Sequence, residues 1–180
     1  MRVTFIFALA VVAVLVVLRF VSHHAMPPVG SQAPEFTLPS QEGQPVSLAE
    51  YRGHWIVLYF YPKDQTPGCT REAHNFSADA SRYEQHNAVV LGVSLDNVDS
   101  HKKFCTKEGL RFKLLADTQG QTTQAYGSLT NVGVVKFAAR HTFIIDPAGK
   151  IVKVYDSVDP TKHSAEVLAT LDQLQGIRPS

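Results

Sequence analysis

Cys69 stands in the run Phe60-Tyr61-Pro62-Lys63-Asp64-Gln65-Thr66-Pro67-Gly68-Cys69-Thr70-Arg71-Glu72, where an apolar stretch ends and a helical pattern begins. A cysteine at that junction is placed to act as a nucleophile. The first turn of a helix leaves backbone N–H groups unpaired and carries the positive end of the dipole, so a sulfur held there is favoured as an anion. A free thiol is only a few per cent ionised at neutral pH and the helix end contributes about 0.3–1 kcal/mol, so a second cation is expected beside the sulfur. Thr66 and Thr70 put hydroxyls on either side of the cysteine, and Pro67-Gly68 make a sharp turn that lets backbone approach a small polar substrate. The plainer reading is a small buried residue in a strand-to-helix turn. It leaves those neighbours without a purpose.

Pro62, Thr66 and Cys69 form the pattern Pro-x-x-x-Thr-x-x-Cys, which resembles the active-site signature of the peroxiredoxins. The longer run from Phe60 to Glu72 is similar to the branch of the bacterioferritin comigratory protein, or peroxiredoxin Q, and the likeness extends from about Gly30 to Gly176. The resemblance implies an α/β, thioredoxin-like fold with a mixed central sheet flanked by helices. It also implies reduction of hydrogen peroxide and organic hydroperoxides by Cys69, with Pro62 and Thr66 in the catalytic loop. An arginine of the family lies near the start of a late strand, and Arg140 in Arg140-His141-Thr142-Phe143-Ile144-Ile145-Asp146 matches it. Arg140 is the expected second cation, and with Thr66 it would stabilise the peroxide oxygens. The implied reductant is a thioredoxin-like dithiol protein, and the branch is often monomeric.

A sulfenic acid on Cys69 must be resolved by another thiol before it oxidises further. Many relatives carry that thiol five residues after the first, a position occupied here by His74. Another arrangement in the branch places it on a later helix, and Cys105 in His101-Lys102-Lys103-Phe104-Cys105-Thr106-Lys107 resembles that version. The resemblance thus implies an intramolecular disulfide between Cys69 and Cys105. If Phe104 faces the core, Cys105 lies about 100° around its helix and is partly exposed. Cα atoms more than about 7 Å apart cannot be bridged without backbone movement, so the first turn after Cys69 and part of the Cys105 helix are expected to unwind on oxidation. The alternative is a structural Cys105 in a one-cysteine enzyme served by an external thiol. A thiol-disulfide oxidoreductase on the same fold would normally need Cys-x-x-Cys, and position 72 is Glu. Glu72 is a candidate supporting residue at the pocket entrance, hydrogen-bonded to Arg140 or to a neighbouring backbone group, or else an ordinary first-turn acid. His74 reads as a surface histidine.

The 180-residue chain has a net charge of +1 and no basic block, which speaks against nucleic acid as a partner. Two cysteines are too few for a disulfide scaffold or a Cys-rich zinc site, and the scattered histidines do not cluster as ligands. No metal and no cofactor are expected. Val3 to Leu18 is almost wholly apolar, between Arg2 and Arg19. As a helix it spans roughly 24 Å against a hydrocarbon core near 30 Å, and extension through Val21 nearly closes the gap while Arg19 snorkels. Residues 1–22 are therefore expected to form a hydrophobic helix that anchors the chain in a membrane, with a cleaved signal segment or a buried core helix as alternatives. Either targeting role puts the domain on the outer side of a bacterial inner membrane, facing the periplasm or secreted into it. Residues 23–31, with Pro27, Pro28 and Gly30, read as a linker, and 32–180 as one domain with a sizeable core.

Within that domain Phe36 to Leu38 and Val46 suggest a short hairpin, followed by a single helical turn with Ser47 and Glu50 as a capping box. Strands are expected over Trp55 to Tyr61, Ala88 to Ser94, Phe112 to Leu115, His141 to Ile145 and Ile151 to Tyr155. Helices are expected over Cys69 to Gln85, Val98 to Glu108, Gln119 to Tyr126 and Lys162 to Leu174. Phe76, Tyr83 and Phe104 fit core stripes, while Tyr59 and Phe60 read as strand packing.

Overall fold

The computed structural model describes residues 25–176. A hairpin of β1 (Thr37–Pro39) and β2 (Pro45–Ser47) leads through a 3-10 turn, Leu48–Tyr51, to β3 (Trp55–Phe60). Glu50 accepts the Ser47 backbone N–H at 3.0 Å and so closes that turn. Then follow α1 (Pro67–Ala78), α2 (Ala80–Gln85), β4 (Ala88–Ser94), α3 (Val98–Glu108) and β5 (Lys113–Ala116). The chain continues through α4 (Gln121–Ala125), a hairpin of β6 (Leu129–Val132) and β7 (Val135–Ala138), then β8 (Thr142–Ile145), β9 (Ile151–Tyr155) and α5 (His163–Gln175).

The central sheet has the order β5-β4-β3-β8-β9, with β3–β4 and β4–β5 parallel and β3–β8 and β8–β9 antiparallel. Parallel neighbours need long crossovers, which α1 with α2, and then α3, provide. Because β3 lies in the middle with both faces covered, its sequence is a continuous apolar run rather than an alternating one. The period of two still sorts its side chains between layers. Ile56, Leu58 and Phe60 join one core with Leu91, Val93, Leu115, Phe143 and Ile145. Val57, Tyr59 and Tyr61 join the other, under the helices, with Cys69, Phe76, Phe104 and Leu168. The sheet therefore delivers the chain, at the end of β3, into the helical layer that holds Cys69.

The boundaries of α3 follow from its caps. Asn97 Oδ1 accepts the Ser100 backbone N–H at 2.9 Å, and Gly109 closes the helix with φ 62°. The expected single helix from Cys69 to Gln85 is instead two. It starts earlier, because Pro67 lacks an N–H and has a preset φ that suits the first helical position. It breaks at Asp79, whose backbone turns to ψ 7° while its carboxylate accepts Ser164 Oγ of α5 at 2.7 Å. The β6–β7 hairpin is absent from the sequence expectation, since its strands are four residues each and only Ala138 among them is buried.

The expected hydrophobic N-terminal helix, the transmembrane anchor and the inner-membrane or periplasmic location are corrected here. Among the described residues no helix is long and apolar enough to cross a membrane. The longest, α5, has 13 residues, about 20 Å of helix against a hydrocarbon core of about 30 Å. Residues 1–22, on which the membrane expectation rests, lie outside the described residues.

Candidate active site

The antiparallel register of β3 with β8 pairs Tyr59 with Thr142, so the segment entering β8 lies beside the segment leaving β3. Phe60 N–H donates to His141 O at 2.8 Å and extends that ladder by one step. This is how Arg140, just before β8, comes to face the loop that follows β3. The loop runs from Pro62 to Thr66 and turns through Gln65 at φ 59°, a left-handed conformation that few side chains favour. Thr66, extended, caps α1, and Cys69 falls in the helix's first turn.

Cys69 is 2% exposed, and its Sγ accepts a hydrogen bond from Arg140 Nη2 at 3.0 Å. Nη1 of the same guanidinium donates to Glu72 Oε2 at 2.5 Å. Cys69 and Glu72 are one turn apart on α1, so a single planar cation spans both. Glu72 is 1% exposed, a wall of the site rather than its entrance. Burial pushes its carboxyl up to about 7, against the opposing pull of the Arg140 charge and hydrogen bond. Its second oxygen, Oε1, is buried without a hydrogen-bond partner. Gly68 lies directly under the guanidinium, where a Cβ would stand 3.0 Å from Arg140 Nη2.

Thr66 Oγ1 donates to Lys63 O at 3.0 Å, and Thr66 O accepts the Thr70 backbone N–H at 2.9 Å. Pro62 is partly buried at the mouth of the loop. The structure thus brings Cys69, Arg140 and Glu72 into direct contact, with Thr66 one turn before the sulfur. Cys105 stands apart on α3, with both thiols free. It is partly buried against the core layer that contains Cys69. Its thiol is pushed up to about 12, first by burial and then by the negative charges of Asp64 and Glu42. His74 is exposed and pairs with Glu108 at 2.8 Å.

A buried polar network around Asp64 and His101 escapes the sequence reading. One signal was available: His101 and Phe104 are three apart on α3 and share a face, so a buried Phe104 implies a buried His101. Among the described residues no group of His, Cys, Asp and Glu side chains is arranged to hold a metal.

The chain matches the AhpC/TSA family over residues 29–154. It belongs to that family. Peroxiredoxin Bcp of Bacillus subtilis is 39% identical over 150 residues, covering 81% of this chain and 96% of that protein. The chloroplastic peroxiredoxin Q of Sedum lineare is 38% identical over 147 residues, 81% of this chain and 78% of the relative. Among solved structures, peroxidoxin BcpB of Mycobacterium tuberculosis superposes with a TM-score of 0.78 at 32% identity, over 86% of this chain and 100% of that one. The architecture is accordingly the thioredoxin-like fold of a peroxiredoxin, and Bcp and Q peroxiredoxins are thiol-dependent peroxidases. In this peroxiredoxin the fold sets a cysteine, an arginine and a glutamate in one contact chain at the end of the central strand.

Proposed function

We propose that the protein reduces hydrogen peroxide and organic hydroperoxides through attack of the Cys69 thiolate on the terminal peroxide oxygen. The observation that carries this reading is the 3.0 Å contact of Arg140 Nη2 with Cys69 Sγ at the first turn of α1. A sulfur with a guanidinium and a helix N-terminus against it is favoured as an anion. As the S–O bond forms the O–O bond breaks, and the leaving alkoxide takes a proton to depart as alcohol or water. Arg140 donates to the peroxide oxygens as charge develops on them. Thr66 Oγ1, whose own hydrogen is engaged by Lys63 O, presents lone pairs to the hydroperoxide O–H. Support for organic hydroperoxides comes from the Xanthomonas campestris bacterioferritin comigratory protein, a structure of 34% identity and TM-score 0.74 studied for alkyl peroxide reduction.

Cys105 resolves the sulfenic acid by forming an intramolecular disulfide, which a thioredoxin-like dithiol then reduces. Xanthomonas campestris peroxiredoxin Q has been crystallised as serine variants of two cysteines separated by the same interval as Cys69 and Cys105. Burial keeps the Cys105 thiol protonated and a weak nucleophile, so resolution calls for this part of α3 to unwind and give the sulfur to water. Peptide mapping after one equivalent of peroxide tests the whole cycle. The expected product is a Cys69–Cys105 disulfide within one chain. A free Cys105 beside an oxidised Cys69 points to the one-cysteine cycle, and a Cys69–Cys69 bond to resolution between two copies.

A further inference from the structure

Asp64 lies midway between Pro62 and Thr66, yet it touches neither the sulfur nor Arg140 and is only 5% exposed. Its carboxylate accepts hydrogen bonds from Tyr61 Oη and Ser100 Oγ, each at 2.7 Å, and pairs with His101 Nδ1 at 2.9 and 3.1 Å. Its backbone N–H donates to Asp96 Oδ2 at 2.9 Å, and Asp96 is fixed in turn by Ser94 Oγ at 2.8 Å. Ser100 and His101 belong to α3, about one turn before Cys105. A carboxylate of the Cys69 loop thus holds the helix that carries Cys105.

We propose that Asp64 and His101 are positioning residues that clasp α3 to the loop preceding Cys69, and that opening this clasp sets whether sulfenic Cys69 is resolved or overoxidised. This rests on the reading of Cys105 as the resolving thiol. Burial by itself raises the Asp64 carboxyl, but the hydrogen bonds and charge of His101, with Tyr61 and Ser100, hold it below the ordinary range, so it stays ionised. Buried hydrogen bonds to a charged group are among the strong ones. The far end of α3 is held by the exposed His74–Glu108 pair and by the Arg111 N–H donating to Ser77 Oγ at 3.1 Å. Exposed pairs of that kind contribute little. Beside the apolar packing of Phe104 in the core, the clasp is therefore the buried polar contact that α3 must lose in order to move. It is also poised to open, because His101 Nε2 is buried without a partner and release would return it to water.

The competing steps balance as follows. In resolution the Cys105 sulfur attacks the sulfenic sulfur of Cys69, the S–S bond forms as S–O breaks, and the departing hydroxide leaves as water with the Cys105 proton. In overoxidation a second peroxide transfers an oxygen to the same sulfur and leaves as alcohol or water, giving sulfinic acid. A closed clasp keeps Cys105 folded into α3 and favours the second route. It also fixes the backbone next to Thr66, so loosening it should slow the first attack while speeding resolution. General destabilisation does not predict that specific pairing.

The test follows disulfide formation by rapid mixing, and sulfinic Cys69 by mass, in the full chain and in Asp64→Asn, Ser100→Ala and Val46→Ala. Val46 lies in the opposite core and serves as a control for loss of stability. Asp64→Asn should form the disulfide about tenfold faster, need about tenfold more peroxide for sulfinic acid, and react more slowly with peroxide in the first step. Ser100→Ala should show the same changes at roughly threefold, and decides the matter should Asp64→Asn not fold. Val46→Ala should keep the parent disulfide rate. Parent rates in both clasp variants overturn the proposal, as does equal acceleration by Val46→Ala. A parent chain that makes no Cys69–Cys105 disulfide at all refutes the resolving role itself, and the clasp with it.

Discussion

Cys69 and Cys105 share one layer of the fold and sit at opposite ends of their helices. Cys69 lies in the first turn of α1, where the dipole is positive and Arg140 Nη2 stands 3.0 Å from the sulfur. Cys105 lies near the end of α3, where its own carbonyl accepts the N–H groups of Gly109 and Leu110 and the dipole is negative. Burial with Asp64 and Glu42 pushes its thiol up to about 12. The less exposed sulfur is the one with a cation and a helix N-terminus beside it. On the proposed function, reactivity follows position along a helix and a partner cation, and not exposure.

The largest effect should come from removing the favoured sulfur. Cys69→Ser is expected to abolish peroxide consumption, because a hydroxyl does not ionise near neutral pH; turnover retained by that variant would break the contrast outright. Next is Arg140→Ala, which takes away the cation but leaves the helix end. Its reaction with peroxide should slow on the order of 10²-fold, measured by stopped-flow on the reduced protein. Cys105→Ser should change that first step by less than about twofold, since in the proposed cycle Cys105 acts only after it, yet it should stop recycling by a thioredoxin-like donor and leave Cys69 open to overoxidation.

The smallest effect concerns Glu72. Its carboxyl is raised in the fold from 4.5 to about 7, so over that window the folded chain binds a proton that the unfolded chain has lost. Stability from this group is present in full below about 4.5 and is lost as pH rises through about 7. Denaturation midpoints at both ends of the window should therefore fall more steeply with pH in the parent than in Glu72→Gln. A parallel pair of curves would show that burial does not hold the proton there.

Much of this was written in local sequence. Six consecutive apolar residues gave away β3, and the boundaries of α3 are those of its Asn97 and Gly109 caps. The motif around Cys69 marked the candidate site because strand, turn and helix start are contiguous in the chain. What stayed hidden depends on contacts between distant segments. The burial of Glu72 needs Arg140, 68 residues away, to cover it, and Asp64 meets His101 across 37 residues. The break at Asp79 is tied to Ser164 on the last helix. A polar residue beside an apolar strand carries no local mark of being buried. The apolar run at residues 3–18 also carries a strong local mark, but it lies outside the described residues.

Gly68 has a consequence for how the chain can vary. Any L side chain at that position carries a carbon to within 3.0 Å of Arg140 Nη2, closer than such atoms comfortably stand. The guanidinium would have to slide along α1, away from one of its two partners. Glycine, alanine and serine at position 68 therefore form a graded set of shims beneath the charge, altering its reach to the sulfur while Cys69, Arg140 and Glu72 keep their identities.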